Sequence, residues 1–147
     1  MHVQDNLLRF ATTHLETSAE PVTQLKQANE LAQALNSSED NPSIVLCGDF
    51  NADADTPNPT IAAILNGGFI DVWPTLHPQD RGFTIPLYIE DLPSPPPFTA
   101  VSTPSQRIDL VFVRHLSATQ IDLIGNQISP PWPSDHAGVI ASVPTDQ

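Results

Sequence analysis

The stretch that decides the fold is Ile44-Val45-Leu46-Cys47-Gly48-Asp49-Phe50-Asn51. Its first four residues are an apolar run too short for a helix, and they read as a buried strand that ends abruptly in a polar loop. Regular elements lie on both sides of it. Upstream, Leu7 to Thr13 reads as a strand with Leu8, Phe10 and Thr12 on one face. Thr17 and Glu20 then have capping-box spacing, and Pro21 falls in the first helical turn. Val22, Leu25, Ala28, Leu31, Ala32 and Leu35 form one apolar stripe, which Asn36-Ser37-Ser38 ends. Downstream, Asn58-Pro59 reads as an N-cap followed by proline at the first helical position. Ile61, Ile64 and Leu65 supply that helix's buried face, and Gly67-Gly68 closes it.

The second half is less regular. Pro74 to Pro104 holds eight of the chain's 16 prolines and reads as a long irregular loop bordering a site. Arg107 to Val113 then alternates, with Ile108, Leu110 and Phe112 on one face and Asp109 on the other. Ala118 to Ile124 and Ala137 to Val143 read as two further strands. With no internal repeat and no clear linker, the chain reads as one sheet-and-helix layer.

Composition narrows the functional classes. The 147 residues carry 17 acidic and 5 basic side chains, a net charge of −12. A surface that holds nucleic acid by itself presents Lys and Arg to the phosphates. Only Arg9, Lys26, Arg81, Arg107 and Arg114 are present, which argues against a basic nucleic-acid platform. An acidic chain still handles phosphates where a bound divalent cation supplies the positive charge. The lone Cys47 excludes an internal disulfide and a multi-cysteine zinc site, and nothing beside it lowers a thiol pKa. No apolar run approaches the roughly 18 residues of a membrane span. Met1 to Asp5 has neither the basic start nor the apolar stretch of a signal peptide, and localisation is left open.

Four clusters place polar groups where strands end or should be apolar: Thr13-His14-Leu15-Glu16, Gly48-Asp49-Phe50-Asn51, Arg107-Ile108-Asp109 and Ser134-Asp135-His136. Strand ends are where a rigid frame fixes side chains that remain reachable from outside. Each cluster also has a structural explanation: a satisfied strand-end histidine, an Asp/Asn turn cap, the start of the last strand. Asp109 is the exception, because a carboxylate among Ile108, Leu110, Val111 and Phe112 needs a partner or a metal. Asp49, Asn51, Asp53 and Asp55 also alternate as in a calcium-binding helix-loop-helix. That reading fails on Ala54 in place of the required glycine, on Thr60 in place of the bidentate glutamate, and on the strand that precedes the loop.

The four clusters, in this order, resemble the endonuclease/exonuclease/phosphatase superfamily. The matching signatures are Thr13-His14-Leu15, Gly48-Asp49-Phe50-Asn51-Ala52, Arg107-Ile108-Asp109-Leu110-Val111-Phe112 and Ser134-Asp135-His136. Gly67-Gly68-Phe69-Ile70-Asp71-Val72-Trp73 through Gly82-Phe83-Thr84 also looks like the uncharacterised bacterial branch. The resemblance implies an α+β fold, an α/β sandwich of the four-layer deoxyribonuclease I type. Residues 1–147 would then be a single partial domain, the C-terminal half, contributing one sheet with its helices. The asparagine, the metal-binding glutamate and the further acid or tyrosine that the family's N-terminal half supplies have no counterpart here. One sheet face is therefore expected to lie open, with Leu8, Phe10, Val45, Ile108, Leu110 and Phe112 on that face or on its helix side. Such a face would drive self-association or pairing with the missing half.

The resemblance also implies roles. His136 would be general base or phosphate ligand, Asp109 would hold and polarise it, and Asp135 would help bind the cation. Asp49 would orient the attacking water or ligate metal, Asn51 would hydrogen-bond the phosphate, and His14 would contact the scissile phosphate and serve the leaving oxygen. Arg107 ranks below these six as structural. The implied reaction is Mg²⁺- or Mn²⁺-assisted hydrolysis of a phosphodiester or phosphomonoester by in-line attack of water. The implied phosphoester substrate is a small phosphodiester, a nucleotide, a nucleic acid or a lipid headgroup, and the low Lys and Arg content suits the small ones better than a long duplex. The alternatives are an inactive interaction module that uses the open sheet face for a partner, and a plain structural domain whose polar clusters are caps and turns.

Overall fold

The structure is a computed structural model and describes residues 2–3, 6–37, 41–85, 105–125 and 134–144. Its elements in chain order are β1 (His2–Val3), β2 (Asn6–His14), α1 (Pro21–Asn36), β3 (Ser43–Asp49), α2 (Pro59–Asn66), β4 (Ile70–Asp71), α3 (Val72–Leu76), β5 (Asp109–Arg114), β6 (Gln120–Ile124) and β7 (Gly138–Ser142). Five strands form one sheet in the order β1-β2-β3-β5-β4, and β6 and β7 form a separate two-stranded sheet. β2 runs parallel to β3, with α1 as the crossover, and β3 is antiparallel to β5.

The sheet has two faces and a different cover on each. Ile44, Leu46, Leu110 and Phe112 point toward α1 and α2, where they pack with Ala28, Ala32, Ile61 and Ile64. Phe112 is fully buried there and meets Phe50 edge-on at 5.1 Å between ring centroids. Val45, Val111 and Val113 alternate to the opposite face and pack with Val72 and Trp73 of α3 and Ile121 of β6. His77 Nε2 meets the carbonyl of Ile121 at 2.7 Å, which ties the end of α3 to β6.

That second cover corrects two sequence expectations. β6 and β7 do not extend the layer, because they pair only with each other among the described residues. The face of Val45 is accordingly covered over β3 and β5, half-covered at Leu8 of β2 and open at Phe10, which is 69% exposed. Leu110 and Phe112 belong to the helix side.

The helices also differ in detail. Thr17 does not cap α1: its carbonyl accepts from Glu20 N–H at 3.0 Å in a turn, and Glu20 takes the N-cap position without a side-chain bond. The buried positions of α1 are Gln24, Ala28 and Ala32, and Val22 faces solvent. Asn58 caps α2 as expected, accepting from Thr60 N–H at 2.9 Å with Pro59 next in sequence, but Leu65 is exposed and Thr60 is buried. At the far ends of both helices the Arg114 guanidinium donates to Leu35 O (2.7 Å) and Gly67 O (3.0 Å), a cation placed against two helix C-termini. α3, a single turn capped by Asp71, includes Pro74, so the proline-rich segment begins as helix. Residues 86–104 of the expected loop lie outside the described residues. Among the described residues no helix is long and apolar enough to cross a membrane.

Candidate functional site

The site grows out of strand register. His14 ends β2, Asp49 ends β3 and Asp109 begins β5, and the ladder pairs His14 with Asp49 and Asp49 with Asp109. Paired residues share a sheet face, so the three side chains form a row across three adjacent strands. The row lies on the face of Val45, away from α1 and α2. Gly48 lets the strands close up at this point: a Cβ there would meet Thr13 O at 1.9 Å, and its φ is +140°.

After Asp49 the chain turns sharply. Asn51 N–H donates to Asp49 Oδ1 at 2.8 Å, and Asn51 takes a left-handed φ of 50°, which asparagine tolerates better than most residues. Its side-chain Nδ2 donates to Leu15 O at 3.0 Å. Buried Gln24 secures this turn, donating to Asn51 O (2.8 Å) and Glu16 O (2.7 Å) and accepting from Thr60 Oγ1 (3.0 Å).

Asp109 finds its partner in His136, whose Nδ1 lies 2.9 Å from Asp109 Oδ2. Burial pushes the Asp109 carboxylate above the usual range. Hydrogen bonds from Thr84 and His136 oppose that rise, and the negative charge of Asp49 adds to it. His14 closes the other end of the row, with Nε2 3.5 Å from Asp49 Oδ2 and a side chain 74% exposed. Asp49, Asp109 and His136 each offer a ligand atom within 4.8 Å of the others. Two of these three donors are carboxylates, the kind of ligand that suits a hard divalent cation. Asp135 is exposed and stands outside that trio, its Oδ1 3.4 Å from Ser134 Oγ.

Arg107 is buried beside the row rather than in it. Its Nη1 and Nη2 hold Asp71 Oδ1 and Oδ2 at 3.1 and 2.9 Å, a two-pronged carboxylate contact. Nη2 and Nε reach Asp55 Oδ1 at 3.0 and 3.2 Å. Burial works against the guanidinium charge, and the two carboxylates outweigh it, so the pKa of Arg107 is raised. Arg81 Nε takes the other oxygen of Asp55 at 2.7 Å. The acidic loop that imitated a calcium site is thus held by arginines. Cys47 sits half-buried on β3, and burial pushes its thiol pKa up.

Two buried polar residues around the row, Gln24 and Thr84, receive no role from the sequence, Thr84 standing there only as the end of the Gly82-Phe83-Thr84 stretch. Gln24 left a trace of its own, being a polar residue one turn before Ala28 on the buried side of α1.

Residues 3–136 match the family described as the Endonuclease/Exonuclease/phosphatase family. Among solved structures, the chain is similar to an endonuclease/exonuclease/phosphatase family protein from Leptotrichia buccalis, with 20% identity and a TM-score of 0.72 over 98% of this chain and 52% of that one. It is similar to a humanized D. rerio TDP2, with 19% identity and a TM-score of 0.65 over 95% of this chain and 56% of that one. An AP endonuclease from Archaeoglobus fulgidus matches at 18% identity and a TM-score of 0.63, over 92% of this chain and 61% of that one. The chain thus has the fold of about half the length of these structures, the sheet-and-helix half expected of a deoxyribonuclease I-like sandwich. No curated protein matches the sequence.

Proposed function

The chain belongs to the endonuclease/exonuclease/phosphatase family, and on that premise we propose that it bears much of the reactive site of a metal-dependent phosphoesterase. The observation that carries the reading is the Asp109–His136 pair, at 2.9 Å, in one row with Asp49 and His14. An imidazole whose Nδ1–H is held by a carboxylate presents a bare Nε2, the form of histidine suited to take a proton. His136 removes the proton of a water that attacks phosphorus in line, while the bond to the leaving oxygen breaks on the opposite side. His14, exposed at the other end of the row, contacts the scissile phosphate and returns a proton to the leaving oxygen. Asn51 hydrogen-bonds the phosphate with the amide hydrogen not given to Leu15. Asp49 orients the water, and Asp49 and Asp135 are the carboxylates that would hold Mg²⁺ or Mn²⁺. When bound, the cation neutralises charge on the phosphoryl oxygens.

A cation also suits the charge inventory. Arg107 and Arg114 are buried in structural contacts and Arg81 pairs with Asp55, so most of the few basic side chains are committed elsewhere. For the same reason the proposed substrate is a small phosphodiester, a nucleotide or a lipid headgroup.

The test is hydrolysis of bis(p-nitrophenyl) phosphate and p-nitrophenyl phosphate by the protein of the complete reading frame, with Mg²⁺ or Mn²⁺. Chelator-sensitive turnover that disappears in His136→Ala supports the reading. Turnover indifferent to that substitution, or none on either ester with either cation, rejects it.

A further inference from the structure

We propose that Thr84 is the positioning residue of the Asp109–His136 pair, its hydroxyl fixing the backbone that carries Asp109 and its main chain fixing the segment that carries the histidine. The consequence for turnover rests on the phosphoesterase reading above; the geometry does not.

Thr84 is completely buried. Its Oγ1 accepts two backbone N–H bonds, from Ile108 and Asp109, each at 3.2 Å. A hydroxyl has two acceptor sites and one proton, so these bonds leave only the proton to donate. The same hydroxyl also opposes the rise that burial imposes on the Asp109 pKa. The main chain of Thr84 is committed as well. Its N–H donates to Gln106 O at 2.9 Å, and its carbonyl accepts from N–H of Ala137, the residue after His136, at 2.8 Å. One residue thus holds the backbone at the start of β5, which carries Asp109, and the backbone next to His136.

The approach to Thr84 is itself fixed. Trp73 Nε1 donates to Asp80 O at 2.9 Å, and Gly82, at φ +60°, lies against the indole so closely that a Cβ would meet Trp73 Cε2 at 2.1 Å. The hydroxyl therefore arrives on a seated segment, which gives it the leverage to hold the backbone of Asp109 in place.

Thr84→Val keeps the volume and removes the hydroxyl, and Thr84→Ser keeps the hydroxyl. Each would be made in the protein of the complete reading frame. Two readouts apply: turnover of bis(p-nitrophenyl) phosphate with Mn²⁺, and the downfield imidazole Nδ1–H resonance of His136 in proton NMR. In Thr84→Val the resonance shifts or broadens away and kcat falls about 10- to 100-fold, the usual effect of removing a partner that orients a reacting group. KM stays close to wild type, and Thr84→Ser restores both. An unchanged resonance in folded Thr84→Val, or a serine variant as impaired as the valine one, overturns the proposal. Should Thr84→Val not fold, Thr84→Ala, which also removes the hydroxyl, takes its place, and an unchanged resonance there overturns the proposal equally. A wild-type protein without turnover would sink the phosphoesterase reading, and the resonance would still decide the role of Thr84.

Discussion

Replacing Arg107 by methionine should destabilise the chain more than any surface charge change. The guanidinium is 3% exposed and faces Asp71 and Asp55, themselves 11% and 15% exposed, at 2.9 and 3.0 Å. Methionine fills similar space but leaves two carboxylates facing each other with little water. Removing one partner of a buried ion pair costs about 3–5 kcal/mol, against roughly 0–1 kcal/mol for an exposed one. At about 3 °C per kcal/mol for a chain of this size, the melting temperature falls by roughly 9–15 °C. pH gives a second signature. Burial already raises the Asp71 pKa above its ordinary 3.8, with Arg107 opposing the rise. A carboxyl group that binds its proton more tightly folded than unfolded favours the folded state in acid, and that advantage is lost as pH climbs through its folded pKa. Without Arg107 that pKa climbs further, so the variant's deficit is largest at neutral pH and shrinks on acidification toward about pH 5. Thermal unfolding followed by circular dichroism at both pH values decides the matter. A variant melting within about 2 °C of wild type at neutral pH, or a deficit that grows on acidification, refutes the reasoning.

Other outcomes follow from the same packing. Phe112→Ala, which empties a fully buried ring site against Phe50, should cost about 3–5 kcal/mol in urea unfolding, and a loss under about 1 kcal/mol would mean the core is loosely packed. Gly48→Ala puts a Cβ 1.9 Å from Thr13 O and should separate β2 from β3 at the site, detected as faster amide exchange at His14 and Asp49; protected amides would contradict that account. Phe10→Asp, on the open part of the sheet face, should abolish self-association of this chain in sedimentation velocity without lowering its melting temperature, whereas a monodisperse wild-type monomer would show that the exposed face drives no association.

Much of this architecture is legible in the sequence because period and caps are local. The strands around Val45 and Leu110, the Pro21 start of α1 and the Asn58 cap of α2 each follow from residues a few positions apart. Capping-box spacing at Thr17 misled, because a turn held by the backbone uses that stretch before the helix begins. Ala118 to Ile124 and Ala137 to Val143 read as strands, as β6 and β7 are, but a strand pattern carries no information about which sheet the strand joins, so the separate β6–β7 cover was missed. Within the site, the apolar setting of Asp109 called for a partner or a metal, the family resemblance named His136, and register brought Asp49 and His14 alongside. The partners of Arg107 were not legible: Asp55 and Asp71 lie 52 and 36 residues away, and their pairing depends on loops that only the folded sheet brings together. Gly82-Phe83-Thr84 carried part of the resemblance, but the role of Thr84 was hidden for the same reason, because its partners lie at residues 106 to 109 and 137.

The central claim, that Asp109 and His136 act as one unit on a phosphoester, is tested most directly by a double-mutant cycle on kcat for bis(p-nitrophenyl) phosphate with Mn²⁺, using Asp109→Asn, His136→Gln and the pair in the protein of the complete reading frame. Residues that share one function are strongly non-additive, so the double variant should be hardly slower than His136→Gln alone. Losses that multiply across the cycle, or a His136→Gln protein that turns over like wild type, would contradict the account.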